Sequence, residues 1–406
     1  MKKLILASAL LAALPAMAVE TSMMAPEAEK ADTAGFKFTD IKLVKTTPVK
    51  DQNKSGTCWC FSGTSLIEED VLRNGGPELD LSEMYTVRKT YIDKAKKYIQ
   101  THGTTAFSQG GAFPDVTYVI NKYGAVPEEA YPGLNYGEKG HSHYEMEAAL
   151  KGYLDAIVKN PNRKLSTAWL KGLEGILDAY LGPEPETFTY NGKTYTPQSF
   201  ADEMGLRKSE FIGVTSFNHH PFYDWFILEV PDNWLWEKSL NVPVEDLQKI
   251  IDNSLEKGYT VGWASDVSEP GFQWAKGYAI NPAPKEEKDL EGTELARWVK
   301  LSDREKQNEA YKVNGPKDLK EKKVTQEMRQ EGWDNYTTTD DHGMVLVGIA
   351  EDQEGNRYYK VKNSWNTNNI YDGYFYVSVP FVLEKTTSLM INKEALPKDI
   401  AKKAKL

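Results

Sequence analysis

The stretch Gln52-Asn-Lys-Ser-Gly-Thr-Cys58-Trp-Cys-Phe-Ser62 constrains this chain more than any other. It sets a cysteine six residues after a glutamine, beside Trp59, where the pattern predicts the start of a helix. A thiol at a helix N-terminus feels the positive end of the macrodipole, which favours thiolate, the nucleophilic form. Gln52 is close enough in sequence to fold back and donate an amide N–H to an oxyanion formed at the same spot. A nucleophile and a charge stabiliser thus sit in one loop, but no base is near. Whatever fold the chain adopts has to bring one in from far along the sequence.

The candidate base is His342, 284 positions downstream in Asp340-Asp341-His342-Gly343-Met344-Val-Leu-Val-Gly348. It opens an apolar, β-branched run that reads as a buried strand. A turn at Glu354-Gly355-Asn356 follows, then Tyr358-Tyr-Lys-Val-Lys-Asn363-Ser-Trp365. Two adjacent antiparallel strands set His342 beside Asn363. The amide accepts from one imidazole nitrogen and leaves the other facing the thiol, the logic of nucleophile, base and orienter. Trp365 shields that hydrogen bond from water.

Gln52, Cys58-Trp59, His342 and Asn363-Ser364-Trp365, in that order, resemble the papain-like cysteine peptidases. The long interval between Cys58 and His342 narrows the likeness. So do Leu81-Ser-Glu-Met-Tyr85, Gly110-Gly-Ala-Phe113, Tyr123-Gly-Ala-Val-Pro127, Thr194-Tyr-Thr-Pro197 and Met390-Ile-Asn-Lys-Glu394. These resemble the branch of bleomycin hydrolase and aminopeptidase C, over residues 36–398, with the middle third matching only loosely. The resemblance implies an α+β fold of two lobes: a helical lobe carrying Cys58 and a twisted antiparallel sheet lobe carrying His342 and Asn363. It implies acyl transfer to Cys58, with peptides as substrates and no metal or other cofactor. It also implies an aminopeptidase whose C-terminal arm enters the cleft to hold the substrate's free amine, and a ring-like homo-hexamer. Here only nine residues follow Pro397. An endopeptidase is therefore the second reading, and a non-catalytic binding module on the same scaffold the third.

Other residues of similar chemistry read more plainly. Cys60 lies about 200° around the helix from Cys58, cannot bridge to it without unwinding that turn, and reads as packing. Ser55 stands where many papain-like enzymes have a bridging cysteine, so no disulfide is expected. Asp340 and Asp341 read as loop solvation or as an influence on the pKa of His342. His141-Ser-His143 with Glu145, and His219-His220, have spacings that suit a metal, but two or three ligand-type residues in a loop are weak grounds for one.

The chain begins Met1-Lys2-Lys3, continues with an apolar run to Pro15 and ends that run with Ala16-Met17-Ala18. This is the pattern of a bacterial-type secretory signal peptide over residues 1–18, and it is too short for a membrane span. Cleavage after Ala18 makes the mature protein periplasmic or secreted and moves the formal charge from −10 to −12. That acidic balance argues against nucleic acid as a partner. Residues 19–35 read as a flexible leader and 36–406 as one peptidase domain. Within it the helical lobe spans about 50–135 and a helix-rich insertion about 136–257. The sheet lobe takes about 36–49 and 258–398, and 399–406 form a short tail. Residues 281–332, rich in Lys and Glu, read as a solvated surface excursion, with an assembly contact as the alternative.

Overall fold

The computed structural model describes residues 35–406, so the signal-type start and residues 19–34 of the leader lie outside the described residues. Along the chain, strand β1 (Phe38–Leu43) is followed by three helices, α1 (Cys58–Arg73), α2 (Glu83–Gln100) and α3 (Phe113–Tyr123). Local chemistry sets their ends. The Ser82 hydroxyl accepts from the Tyr85 N–H at 3.0 Å to cap α2. Helix α3 carries a proline in its first turn and stops at Gly124, whose φ of 84° suits glycine. Helices α4 (Tyr144–Val158) and α5 (Ala168–Leu181) come next. The hairpin β2 (Phe188–Tyr190) and β3 (Lys193–Tyr195) turns at Asn191-Gly192, both with positive φ, as an Asn-Gly turn requires. A short helix, α6 (Pro197–Glu203), closes this part.

The chain then enters a large sheet. Strands β4 (Phe211–Thr215), β5 (Trp225–Ile227) and β6 (Lys238–Asn241) precede helix α7 (Val244–Glu256). Helix α7 packs through Leu247, Ile250, Ile251 and Leu255, spaced as one helical face and all fully buried. Strands β7 (Val261–Ser265), β8 (Phe272–Gln273) and β9 (Tyr278–Ala279) follow. Helices α8 (Gly292–Trp298), α9 (Asp303–Ala310) and α10 (Gln326–Asp334) lead to β10 (His342–Asp352), β11 (Arg357–Lys362) and β12 (Tyr374–Ser378). The chain ends with α11 (Val379–Lys385), β13 (Thr386–Asn392) and α12 (Lys398–Lys403).

The strand order is β5-β6-β4-β13-β7-β10-β11-β12-β9-β8, with β1 on the same edge of β10 as β7. The α+β reading holds, but the sheet is mixed: β4 pairs parallel with β6, and β9 parallel with β12. The 136–257 segment is not one helix-rich insertion. Leu150, Leu154, Leu173, Leu177 and Phe200 from α4–α6 sit in the same apolar core as α1–α3, whereas β4–β6 and α7 belong to the sheet lobe. The alternation of small and apolar residues in 211–241 carries no signal of which sheet it joins. The charged segment differs from its sequence reading at one end. Helices α8 and α9 are largely exposed, but Arg329 of α10 is buried and donates to the carbonyls of Ser216, Thr386 and Leu383. A guanidinium with backbone acceptors can be buried without a carboxylate. No described helix is long and apolar enough to cross a membrane.

Candidate active site

Helix α1 packs on β10, and the meeting point is Gly343. A Cβ there would lie 2.9 Å from Ser62 Oγ and 3.4 Å from Trp59 Cα, so only glycine lets the strand come this close. Its neighbour His342 is thereby brought to the start of α1, where Cys58 is the first helical residue. Strand β11 runs antiparallel to β10 and ends one residue before Asn363. His342 Nε2 lies 2.7 Å from Asn363 Oδ1. The Ser364 N–H also donates to that Oδ1 at 2.8 Å, which fixes it as the oxygen. Nε2 therefore carries the proton, and Nδ1 keeps the lone pair of a base. Trp365 stacks on the imidazole, ring centroids 4.6 Å apart, and covers the bond.

Backbone pairing sets Gln52 beside this pair. The Gln52 N–H donates to the Ser364 carbonyl at 2.9 Å, and Asp51 bridges to Trp365. The Ser364 hydroxyl donates to Gln52 Oε1 at 2.7 Å, and Gln52 Nε2 donates to the Ser55 carbonyl at 2.8 Å. One amide N–H of Gln52 is left toward the cleft it lines. Ser55 knits the loop in place of a disulfide, donating to the Gln52 carbonyl at 2.7 Å and sharing a bond of 2.6 Å with Thr57 Oγ1. A buried network ties the end of β11 to α1: Lys362 Nζ meets Glu69 at 3.1 Å, Ser65 at 2.7 Å and Thr47 at 2.9 Å. Ser364 and Lys362 are positioning residues that sequence reasoning missed. Ser364 stood next to Asn363 in the motif, but nothing local tied it to Gln52.

Cys58 is half-buried and opens onto the cleft, whereas Cys60 is buried with its Sγ toward the Glu83 carbonyl at 3.3 Å, as packing requires. Both thiols are free. Burial pushes the Cys58 thiol up to about 12, against the Gly343 and Trp59 N–H groups, with Asp340 and Asp232 adding to the rise. Burial also pushes His342 down to about 4, against its bond to Asn363. Burial thus acts against the thiolate that the helix terminus favours. A neutral imidazole is the form that can take the thiol proton as sulfur attacks.

The cleft has a volume of about 660 Å³ and is lined by Gln52, Cys58, Trp59, His342 and Trp365. Trp59 is fixed by its Nε1–H on the Gln109 carbonyl at 3.0 Å. Glu147, Asp232, Glu237, Asp340 and Asp341 also line it, with Lys54 as the one Lys or Arg among the described lining residues. Asp340 accepts from the Thr387 hydroxyl at 2.5 Å, and burial raises it to about 6. Asp341 accepts from the Thr339 hydroxyl at 2.7 Å. The two aspartates are thus cleft walls held by threonines.

Residues 228–237, between β5 and β6, strap the sheet lobe to the helical lobe. Trp234 Nε1 donates to Asp115 Oδ2 of α3 at 2.7 Å, and Lys97 of α2 sits 3.5 Å over the Trp236 ring. Leu228, Val230, Asp232 and Asn233 of the strap face the cleft. Asp232 rests against Gly110, where any Cβ would collide with its carboxylate, and Gly111 likewise makes room for Trp59 and Asp115. Sequence reading passed over the strap, because its partners are 120 residues away. Residues 391–406 do not line the cleft. Ile400 and Ala404 are buried in the sheet-lobe core, and Lys403 donates to Tyr223 at 3.1 Å.

His141 and His143 come within 5.6 Å ring to ring, His143 fully buried and His141 half-buried, while Glu145 turns away to Tyr180 at 2.7 Å. Those three do not form a ligand set.

Comparison with known proteins adds independent findings. Residues 36–172 match the family model described as papain family cysteine protease, and residues 305–406 the Peptidase C1-like family. Aminopeptidase C of Lactobacillus delbrueckii subsp. lactis is 22% identical over 417 positions, covering 88% of this chain and 82% of that protein. Aminopeptidase C of Listeria monocytogenes is 23% identical with the same coverages. Cysteine proteinase 1, mitochondrial, of Saccharomyces cerevisiae is 20% identical, covering 90% and 79%. The crystal structure of pepw from Lactobacillus rhamnosis superposes with a TM-score of 0.67 at 19% identity, covering 90% of this chain and 84% of that one.

Proposed function

Because the chain is a papain-like cysteine peptidase of the aminopeptidase C branch, we propose that it removes residues from the free amino end of peptides through Cys58, His342, Asn363 and Gln52. His342 Nδ1 takes the Cys58 proton as sulfur attacks the carbonyl carbon. The oxyanion is held by the Gln52 amide and by the Cys58 N–H, which at the first helical position has no intrahelical acceptor. Each such donor contributes about 3 kcal/mol to lowering the barrier. His342 then protonates the leaving amine, and the same imidazole activates water against the thioester. Asn363 holds the ring in this tautomer.

The strap carries the exopeptidase part of the reading. It lines the cleft and sets the Asp232 carboxylate in its wall, where the charged lining residues are mostly carboxylates. We infer that a substrate's α-ammonium pairs with this acidic wall, whereas an acetylated end cannot. The second reading, an endopeptidase, is favoured by the C-terminal residues lying away from the cleft. One dipeptide with a fluorogenic leaving group, free and N-acetylated, separates the two, with Cys58→Ala as control. Cleavage of the free amine alone is expected. Equal or better cleavage of the acetylated form overturns the aminopeptidase reading.

We further propose export, on the basic and apolar start of the sequence. N-terminal sequencing of the protein from the periplasm or medium should begin at Val19, and a cytosolic protein retaining residues 1–18 contradicts this. A homo-hexamer is the assembly the resemblance implies, and sedimentation reads it directly.

A further inference from the structure

Outside the cleft, His219 and His220 on the β4–β5 loop meet Glu229 at the root of the strap. His219 Nε2 lies 3.2 Å from Glu229 Oε2, and His220 Nε2 lies 2.8 Å from Glu229 Oε1. The ligand-type atoms of all three residues fall within 4.8 Å of one another. Sequence spacing offered only the two histidines, and tertiary structure adds the carboxylate.

The tautomer of His219 can be read from its other nitrogen. Nδ1 lies 3.2 Å from Gln330 Oε1. That atom also accepts from the Asn218 N–H at 2.8 Å, while Gln330 Nε2 donates to Asp334 at 2.8 Å. Both ends of the Gln330 amide are thereby assigned, and Oε1 can only accept. Nδ1 therefore donates to Gln330, and Nε2 is the ring nitrogen turned to the Glu229 carboxylate. Nε2 and the Glu229 oxygen 3.2 Å away can share one cation, a proton or a metal ion. His220 is held for the same task, its ring stacked on Phe226 with centroids 4.0 Å apart.

We propose that His219, His220 and Glu229 form a site for a divalent transition ion of the zinc, cobalt or nickel class. Two imidazoles and a carboxylate suit such ions, and leave a fourth position for water. Ligands on one tetrahedral ion at about 2.1 Å stand about 3.4 Å apart. The observed 2.8 and 3.2 Å therefore need the carboxylate to withdraw by a few tenths of an ångström. The glutamate side chain is half exposed and can do so, and solvent ions can reach it. Gln330 plays the outer-shell role of fixing a ligand imidazole. None of the three ligands lines the cleft, so the ion takes no part in peptide cleavage. Instead it joins the β4–β5 loop to the strap, one residue from Val230 and three from Asp232, and steadies the wall that bounds the amine end.

The test uses the full chain carrying Cys58→Ala, so that the cleft thiol binds no metal. Zn²⁺ is titrated calorimetrically, and Co²⁺ is followed by its visible absorption. One ion per chain is expected, with slower amide exchange confined to residues 217–237 and proton release on binding. Glu229→Gln and His220→Ala should each abolish it. Gln330→Ala keeps every ligand and should weaken binding about tenfold or more. This last variant separates loss of a ligand from loss of fold. Absence of binding, or binding unchanged in Glu229→Gln and Gln330→Ala, overturns the site and leaves a proton on His219 as the bridging cation.

Discussion

Trp234→Phe tests the strap, with a magnitude that depends on pH. The substitution keeps an aromatic ring against Tyr118 and deletes the indole N–H that donates to Asp115 at 2.7 Å. Asp115 is then left with the Ala112 N–H at 3.3 Å, and its Oδ1 has no partner among the described residues. Burial raises Asp115 from 3.8 to about 7, with Lys94 and the Trp234 bond acting to lower it. Below about pH 6 the folded carboxyl is protonated, and the variant loses a neutral hydrogen bond, about 1 kcal/mol. Above about pH 8 it is ionised, and the lost bond to a buried charge is worth about 3 kcal/mol. The sign follows: a carboxyl whose folded pKa lies above its unfolded value loses stability as pH rises between the two. Removing Trp234 raises the folded value further and extends that loss upward. Urea unfolding of the variant and the parent at pH 5 and pH 9 measures both ends. The acetylated-to-free cleavage ratio should rise about tenfold as the strap loosens, about 1.4 kcal/mol of lost discrimination. A destabilisation equal at both pH values refutes the assignment of Asp115 as a buried acid. An unchanged cleavage ratio refutes the strap as the boundary of the cleft.

Asn363→Ala leaves His342 without its acceptor and should lower kcat about 10- to 100-fold with KM little changed, in steady-state kinetics on the free dipeptide. Gln52→Ala should cost about 10²–10³ in kcat, and Ser364→Ala, which only releases the Gln52 amide, about tenfold. Equal losses would mean that Ser364 acts by another route. His143 is fully buried, neither ring nitrogen has a partner among the described residues, and burial lowers it from 6.5 to about 3, with His141 adding to the fall. Between those values the unfolded chain takes a proton that the folded one refuses, so stability falls as pH drops. His143→Phe should remove about 3 kcal/mol of the loss between pH 7 and pH 4, and parallel urea midpoints for variant and parent across that range contradict this.

The sequence reveals what is local. Helix α1 begins at Cys58, α3 ends at Gly124 and the hairpin turns at Asn191-Gly192, because caps, glycines and turn residues act on their immediate neighbours. His342 and Asn363 were readable as neighbours because the strand that opens at His342 and the strand that closes before Asn363 are joined by a short turn and pair antiparallel. What escaped depends on distant contacts. The strap reaches Asp115, 119 residues before Trp234, and Lys362 reaches Glu69 across 293 residues. Neither has a sequence period. The helix start at Cys58 is visible in sequence, but the desolvation around its thiol is not. Glu229 became a third ligand only when β5 folded beside the β4–β5 loop.

The most direct test of the account is the rate at which iodoacetamide modifies Cys58 near pH 7, mapped by mass spectrometry to distinguish Cys60, in the wild type and in His342→Ala. If His342 draws the proton from the thiol, Cys58 alone is labelled, and its rate falls about 10²-fold or more without the imidazole. Labelling of Cys60 instead, or a Cys58 rate indifferent to His342, contradicts the proposed chemistry.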